Sequence, residues 1–297
     1  MALLMQGIFS GIALGAVYAL IALGFNVIFS TVRMGHFAQG EFFMFGGFVG
    51  FQFWVRWNFS LIPSIVIGVI ATIILMLIIE RIVYRPQYEK NMMGLLISTM
   101  GMQFIVQWIA RVVWGSEAHR MPPLFGAETR VHVIPMFGDE VRLSHTDLMI
   151  LLICSILVVC LWAFMKHTKI GVAMSAVSMN RRAAQLMGIK LATVIGATYI
   201  IAAGLAGFAG ILMAPRYSVV FTIGIVTGVR AMTSAVMGGF GSMPGAILGG
   251  VIMGVVETLA AFYISTAYRD VFVFIVLIII LFWRPQGILG RKSIVKV

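Results

Sequence analysis

Charge is what this 297-residue sequence has least of: Asp, Glu, Lys and Arg together make up 10% of it, against about 25% in a soluble globular domain. Length alone would allow about two soluble domains. So few charges could not cover their surface, and with 61% hydrophobic residues the main solvent is not water. Cysteine is nearly absent too. Cys154 and Cys160 lie six positions apart in one apolar run, about 240° around a helix, so they cannot bridge each other there and read as small buried thiols. No GxxxxGK[ST] run occurs, which removes the phosphate cradle of a nucleotide hydrolase; the chain does not itself burn ATP. His36, His119, His132, His145 and His167 never pair with another His or Cys at helical spacing, so no metal site is supported. Residues 1–7 carry no Lys or Arg, which excludes a secretory signal and keeps the first segment as a span.

What is present is long stretches free of charge. Residues 2–32, 57–79, 91–110, 148–165, 191–215 and 231–256 contain no Asp, Glu, Lys or Arg, and about 20 residues at 1.5 Å each cross a hydrocarbon core about 30 Å thick. Shorter runs at 42–55 and 271–283 extend into two more segments, and 231–256 must break at 238–244. The expected class is an all-α, polytopic membrane protein of eight or nine segments, some broken or re-entrant. One transmembrane domain over 1–297 is expected.

The net charge of +11 would raise nucleic acid as a partner for a soluble protein. Here its placement sets orientation instead, and no nucleic-acid partner is expected. Lys166, Lys169, Arg181, Arg182 and Lys190 crowd the loop 166–190 with no acid beside them, and the tail carries Arg284, Arg291, Lys292 and Lys296. Arg81, Arg85 and Lys90 outnumber Glu80 and Glu89. By the positive-inside rule these regions are cytoplasmic. The connector 115–146 balances its charges and is the largest external loop. Nine full crossings place the amino terminus outside; one re-entrant segment places it inside.

Thirty-two glycines need a reason in helices, where glycine costs propensity. Gly7, Gly11 and Gly15 recur every four residues on a face that continues through Tyr18, Ala22 and Asn26; Gly46 with Gly50, Gly245 with Gly249, and Gly250 with Gly254 repeat the spacing. Such ridges let helix backbones approach closely in lipid. Charges inside spans are costly. Glu257 continues the Gly250 and Gly254 face and reads as a buried hydrogen-bonding group. Arg230 suits either a pathway or a snorkelling position on a short helix. His36 and Gln39 share a face from which Glu41 points away, so the segment from Gly35 to Glu41 either lines a pathway or breaks a helix near the membrane surface. The Gly-rich stretch 238–245 resembles a phosphate loop but lacks its Lys, and reads as a tight turn.

The cationic loop carries a small helix by design. Asn180 is an N-cap, 181–187 holds helix formers including Ala183 and Ala184, and Gly188 is placed to end it. With small residues on its surface, this helix suits a groove on another protein; the alternative is a mere basic connector.

Here a family resemblance enters. Asn180-Arg-Arg-Ala-Ala-Gln-Leu-Met-Gly-Ile189 resembles the coupling segment of ABC importer permeases, with Ala183, Ala184 and Gly188 at the family's spacing and Arg182 where the family has Glu. Four further blocks resemble the LivH-type permease of branched-chain amino acid importers. They are Gly15-Ala-Val-Tyr-Ala-Leu-Ile-Ala-Leu-Gly24, Gly35-His-Phe-Ala-Gln-Gly-Glu41, Glu80-Arg-Ile-Val-Tyr-Arg-Pro86 and Ala235-Val-Met-Gly-Gly-Phe-Gly-Ser-Met-Pro-Gly-Ala246. The ending Arg284-Pro-Gln-Gly-Ile-Leu-Gly290 does too, so the likeness runs from the first span to the tail.

The resemblance implies a multi-pass subunit of the bacterial cytoplasmic (inner) membrane that forms the translocation path of an ATP-driven importer. Implied partners are a second homologous permease subunit, two ABC ATPase subunits that hold the ATP, an extracytoplasmic substrate-binding protein, and membrane lipid. No cofactor is implied on this chain, and no enzymatic activity. Asn180, Arg181, Arg182, Ala183, Ala184 and Gly188 become the ATPase-coupling candidates. Urea and short-chain amide importers share the family. A channel or secondary carrier for a small polar solute is the alternative from another class; the capped loop argues against it. A membrane enzyme ranks third, lacking any clustered acid, base or metal-ligand set.

Overall fold

The computed structural model describes residues 2–88, 92–123, 131–136, 139–266 and 268–290. Lys90, Glu89, Arg130, Glu128, Arg291, Lys292 and Lys296 therefore lie outside the described residues. The elements run α1 (Ala2–Val32), α2 (Gln39–Phe51), α3 (Leu61–Ile79), α4 (Met92–Trp114), β1 (Val131–Met136), β2 (Asp139–Ser144), α5 (His145–His167), α6 (Lys169–Met179), α7 (Arg181–Leu186), α8 (Leu191–Tyr217), α9 (Ile223–Gly238), α10 (Met243–Tyr263) and α11 (Arg269–Trp283). Among the described residues, six helical stretches are long and apolar enough to cross a membrane: Leu3–Val32, Leu61–Gln87, Met93–Trp114, His145–His167, Leu191–Tyr217 and Met243–Tyr263. The helices α2, α9 and α11 occupy the remaining apolar runs. At 13, 16 and 15 residues they rise only about 20 to 24 Å, short of a full crossing. The polytopic α-helical class read from the sequence is the class observed.

Two elements were not foreseen. The connector 115–146 holds a pair of antiparallel strands in which Val131 pairs with Ser144 and Met136 with Asp139, and the cationic loop holds α6 ahead of the short α7. The break expected within 231–256 falls between α9 and α10, where Gly239 and Gly241 take φ of +105° and +83°, a region open to glycine. Ser242 then caps α10 by accepting from the Gly245 amide at 3.2 Å. Cys154 is buried and Cys160 exposed on α5, both as free thiols.

The chain divides into two compact units. One comprises Met1–Asn26, Pro123–Ile156 and Arg230–Val297. In it α1 lies against α10 at backbone distance: a Cβ added to Gly15 would stand 2.6 Å from the Gly250 carbonyl and 2.7 Å from Val251 Cα, and one on Gly11 would stand 2.7 Å from Val255 Cα. Gly254 meets the backbone of Gly11 and Gly15, while Gly7 faces Leu259 and Phe262. Gly245 and Gly249 lie on another side of α10, against Gly238 and Ser234 of α9. Asn26 ties α1 to the turn before α10, donating to Ser242 O at 2.9 Å and accepting from the Gly241 amide at 3.2 Å. Residues 284–290 return to the end of α9, where the amides of Ile288 and Leu289 donate to the carbonyls of Met237 and Gly238 at 2.9 and 3.0 Å. Those carbonyls have no partner within their own helix.

The other unit comprises Val27–Pro122 and Leu157–Val229. Its centre is α2, buried along nearly its whole length and packed on α8 and α3. Gly46 meets the backbone of Gly207, and Gly210 meets that of Phe43, so the two helices touch with no side chain between them. Residues 115–122 are held to this unit by paired bonds between His119 and Val219 at 2.8 and 2.9 Å. Ile62, Ile74, Ile78, Ile97, Phe104 and Trp108 on α3 and α4 point outward and exposed, as suits apolar surroundings.

Candidate functional site

Polar groups collect in three places, the first at the break between α1 and α2. The helix ends at Val32, Arg33 takes φ of +65°, and the chain runs unwound to Gln39. His36 is fully buried here. Its ring meets Tyr84 and Tyr199 edge-on with centroids 5.4 Å away, stacks near Phe42, and shares a 3.2 Å hydrogen bond with the Tyr84 hydroxyl through Nε2. Tyr84 stands on the π-helical turn Glu80–Tyr84 that follows α3, so two of the sequence blocks quoted above meet in this box. Gln39 donates from Nε2 to the Ala202 carbonyl of α8 at 2.8 Å. His36 Nδ1, Gln39 Oε1 and both carboxylate oxygens of Glu41 are buried without a hydrogen-bond partner. An unsatisfied buried polar group costs about 1 to 3 kcal/mol, more when charged.

Glu41 lies apart from His36 and Gln39, in the first turn of α2 and facing the first turn of α9. A Cβ on Gly224 would stand 2.5 Å from Glu41 Oε2 and 2.7 Å from Cδ, while Gly40 meets the backbone of Gly224 and Gly228. The amino ends of α2 and α9 thus meet at this one carboxyl group.

The second place is in the unit that holds α10. Arg230 of α9 is 7% exposed. It reaches Glu257 of α10 at 2.9 Å and Asp270 of α11 at 2.6 Å, and donates to the Tyr18 hydroxyl of α1 at 3.2 Å. Tyr18 in turn donates to Glu257 Oε2 at 2.8 Å, and Arg269 Nη1 lies 3.6 Å from Glu257 Oε1. Arg230 therefore does not snorkel. It is fixed by partners on three helices, because two acids and a phenol compensate inside the protein the charge that water would otherwise have to solvate. Tyr18 was visible on the glycine stripe of α1. Asp270 was overlooked, although an acid heading the apolar run 271–283 is itself a signal, since inside a membrane such a group needs a cation.

The third place is the loop 168–190. Asn180 Oδ1 accepts from the Ala183 amide at 3.1 Å. At the other end the amides of Gly188 and Ile189 donate to the carbonyls of Gln185 and Ala184 at 3.0 and 3.1 Å, the paired closing bonds that require Gly188 at its φ of +84°. Arg33 anchors the preceding helix by donating to the Ser178 carbonyl. Ala184 is turned inward and buried, whereas Arg182, Ala183, Gln185, Leu186, Met187 and Gly188 are exposed and Arg181 is half-buried. Leu186 at 89%, Met187 at 83% and Met179 at 80% exposure give this charged loop an apolar face. The small residue that the sequence suggested for the outer surface is in fact the one that seats the helix on its own chain.

Comparison with known proteins bears on all three places at once. Residues 7–281 match the family model described as the permease component of branched-chain amino acid transport systems. The chain is 35% identical over 302 residues to the high-affinity branched-chain amino acid transport system permease protein LivH of Salmonella typhimurium, covering 99% of this chain and 97% of that protein. It is 34% identical to LivH of Escherichia coli K12 over the same shares, and 32% identical to BraD of Pseudomonas aeruginosa over 99% and 98%. A chain from PsaBC of Streptococcus pneumoniae, solved in complex with Fab, superposes with a TM-score of 0.53 at 10% identity, over 96% of this chain and 93% of that one; that likeness is one of fold alone. With the family model spanning nearly every membrane helix and relatives above 30% identity along the whole length, the chain belongs to the family of branched-chain amino acid transport permease components.

Proposed function

We propose that this chain is a membrane-spanning permease subunit of an ATP-driven ABC importer for branched-chain or other hydrophobic amino acids, resident in the bacterial inner membrane. It pairs with a second homologous permease, takes substrate from an extracytoplasmic binding protein and docks an ATPase through the loop 166–190, two ATPase subunits serving the whole importer. The carrying observation is that loop: a capped, short helix whose long apolar side chains Met179, Leu186 and Met187 stand exposed on a face too charged to lie in lipid. An apolar surface of that kind is stable when a protein groove covers it. In this reading Asn180 and Gly188 fix the helix ends, Ala184 seats the helix, and Arg182, Ala183, Gln185, Leu186 and Met187 meet the ATPase. The polar break holding His36, Gln39 and Glu41 belongs to the pathway, since irregular backbone at membrane depth is tolerated where it lines a cavity or is buried in protein. ATP is held and cleaved on the partner subunits, and this chain performs no chemistry of its own.

Reconstitution tests the proposal. The chain, its second permease, both ATPases and the binding protein in proteoliposomes should accumulate labelled leucine only with ATP inside, with unlabelled isoleucine competing and urea or acetamide failing to compete. Uptake by the purified chain alone would make it a channel or secondary carrier and overturn the proposal. Competition by urea at equal concentration would move it to the amide branch.

A further inference from the structure

The fully buried Glu41 is a poor structural element. Its two carboxylate oxygens have no hydrogen-bond partner, yet the backbone is built to leave them room, because any side chain at Gly224 would collide with the carboxylate. A carboxylate accepts and does not donate, so the group that satisfies it must bring protons, and a cationic donor answers its charge as well. Residues next to Glu41 and Gly224 in the chain line a small, partly open apolar cavity of about 10 Å³, whose walls include Phe43, Met44, Gly47, Gly210, Val219 and Ile223. Met44 stands one turn beyond Glu41 on α2, and Ile223 directly precedes Gly224 on α9. The cavity is smaller than one isopropyl group, so a branched side chain has to widen it to enter. We propose that Glu41 receives the α-ammonium group of the transported amino acid, with the aliphatic side chain opening this cavity. The assignment rests on the importer reading above and adds to it a specificity-determining residue. The ammonium offers three donors to two empty acceptors, and the apolar walls of the cavity match a branched hydrocarbon.

Glu41→Gln tests it in the complete reconstituted importer, because the amide keeps the shape and removes the charge. An unpartnered buried charge only costs stability, so the variant complex should melt no lower than the parent. It should lose leucine uptake at least tenfold; Glu41→Asp, which keeps the charge, should retain more uptake than Glu41→Gln. A loss smaller than tenfold, a lowered melting temperature, or Glu41→Asp no better than Glu41→Gln would each overturn the assignment. A parent whose uptake requires Na⁺ or a pH gradient would give Glu41 to a coupling ion and overturn it as well. Parent complexes that take up no leucine overturn the importer reading, and this inference with it.

Discussion

Replacing Arg230 by Met would leave Glu257, itself 1% exposed, as a buried carboxylate whose nearest remaining cation is Arg269 at 3.6 Å. Removing one partner of a buried pair costs about 3 to 5 kcal/mol, because the other charge is stranded. Arg269 stands close enough to hold the cost toward the lower end. Asp270, with half its side chain exposed, contributes little to this figure, since a wet pair is worth about 0 to 1 kcal/mol. A chain of this length loses about 2 °C of melting temperature per kcal/mol, so Arg230→Met should melt about 6 to 8 °C lower. Glu257→Leu should cost less, because Arg230 keeps Asp270 and Tyr18. The double variant Arg230→Met with Glu257→Leu removes both charges and replaces them with apolar volume, which is often neutral. It should therefore recover most of the loss, with a coupling energy of about 2 kcal/mol. The assay is thermal melting of the detergent-purified protein, read by the loss of the monodisperse peak on fluorescence-detected size exclusion. Additive losses within about 0.5 kcal/mol, the behaviour of independent sites, would refute the view that Arg230 and Glu257 form one buried unit.

Two further outcomes follow from packing. Gly15→Leu drives a side chain into the Gly250 carbonyl and Val251 Cα, where overpacking typically costs 1 to 3 kcal/mol; a melting loss of about 2 to 6 °C is expected, and an unchanged melt would mean that α1 and α10 are not in contact there. Leu186→Asp should cut uptake and stimulated ATP hydrolysis together at least tenfold with little change in melting, since Leu186 is exposed, whereas Ala184→Glu should lower the melting temperature as well because Ala184 is seated inside; parent-level transport by Leu186→Asp would exclude docking at this face.

The membrane helices were legible because hydrophobic runs report them directly, and the position of the break between α9 and α10 was legible because Gly238 to Pro244 cannot continue a helix. The helix α6 was hidden by its setting, since Lys166 and Lys169 marked the region as a connector and connectors are read as irregular. The paired strands 131–136 and 139–144 were hidden for a related reason: Pro135, Asp139 and Glu140, all poor strand formers, stand among their β-branched residues in a loop defined by exclusion. At the sites, what could be read was what lies on one helix. The spacing of Gly250, Gly254 and Glu257 marks a face from the sequence alone, whereas the partnership of Arg230 with Asp270 spans 40 positions and depends on how three helices converge. The same limit hid the aromatic box around His36, whose Tyr84 and Tyr199 come from 48 and 163 residues away. Inward seating of Ala184 was equally invisible, because burial on a six-residue helix depends on what lies beneath it.

The contact between Tyr18 and Glu257 joins residues 239 positions apart, and that separation has a consequence for biosynthesis. Ribosomes add about 5 to 20 residues per second, so α1 waits roughly 12 to 48 s in the bilayer before α10 exists to meet it. During that interval its glycine ridge and its phenol face lipid or a translocation factor, neither of which is its final neighbour. The seam between α1 and α10 thus closes only once α10 emerges, and the amides of Ile288 and Leu289, which close the end of α9, are made later still. Nascent chains stalled before α10 would carry an open seam along α1, so a helix made early completes its packing late.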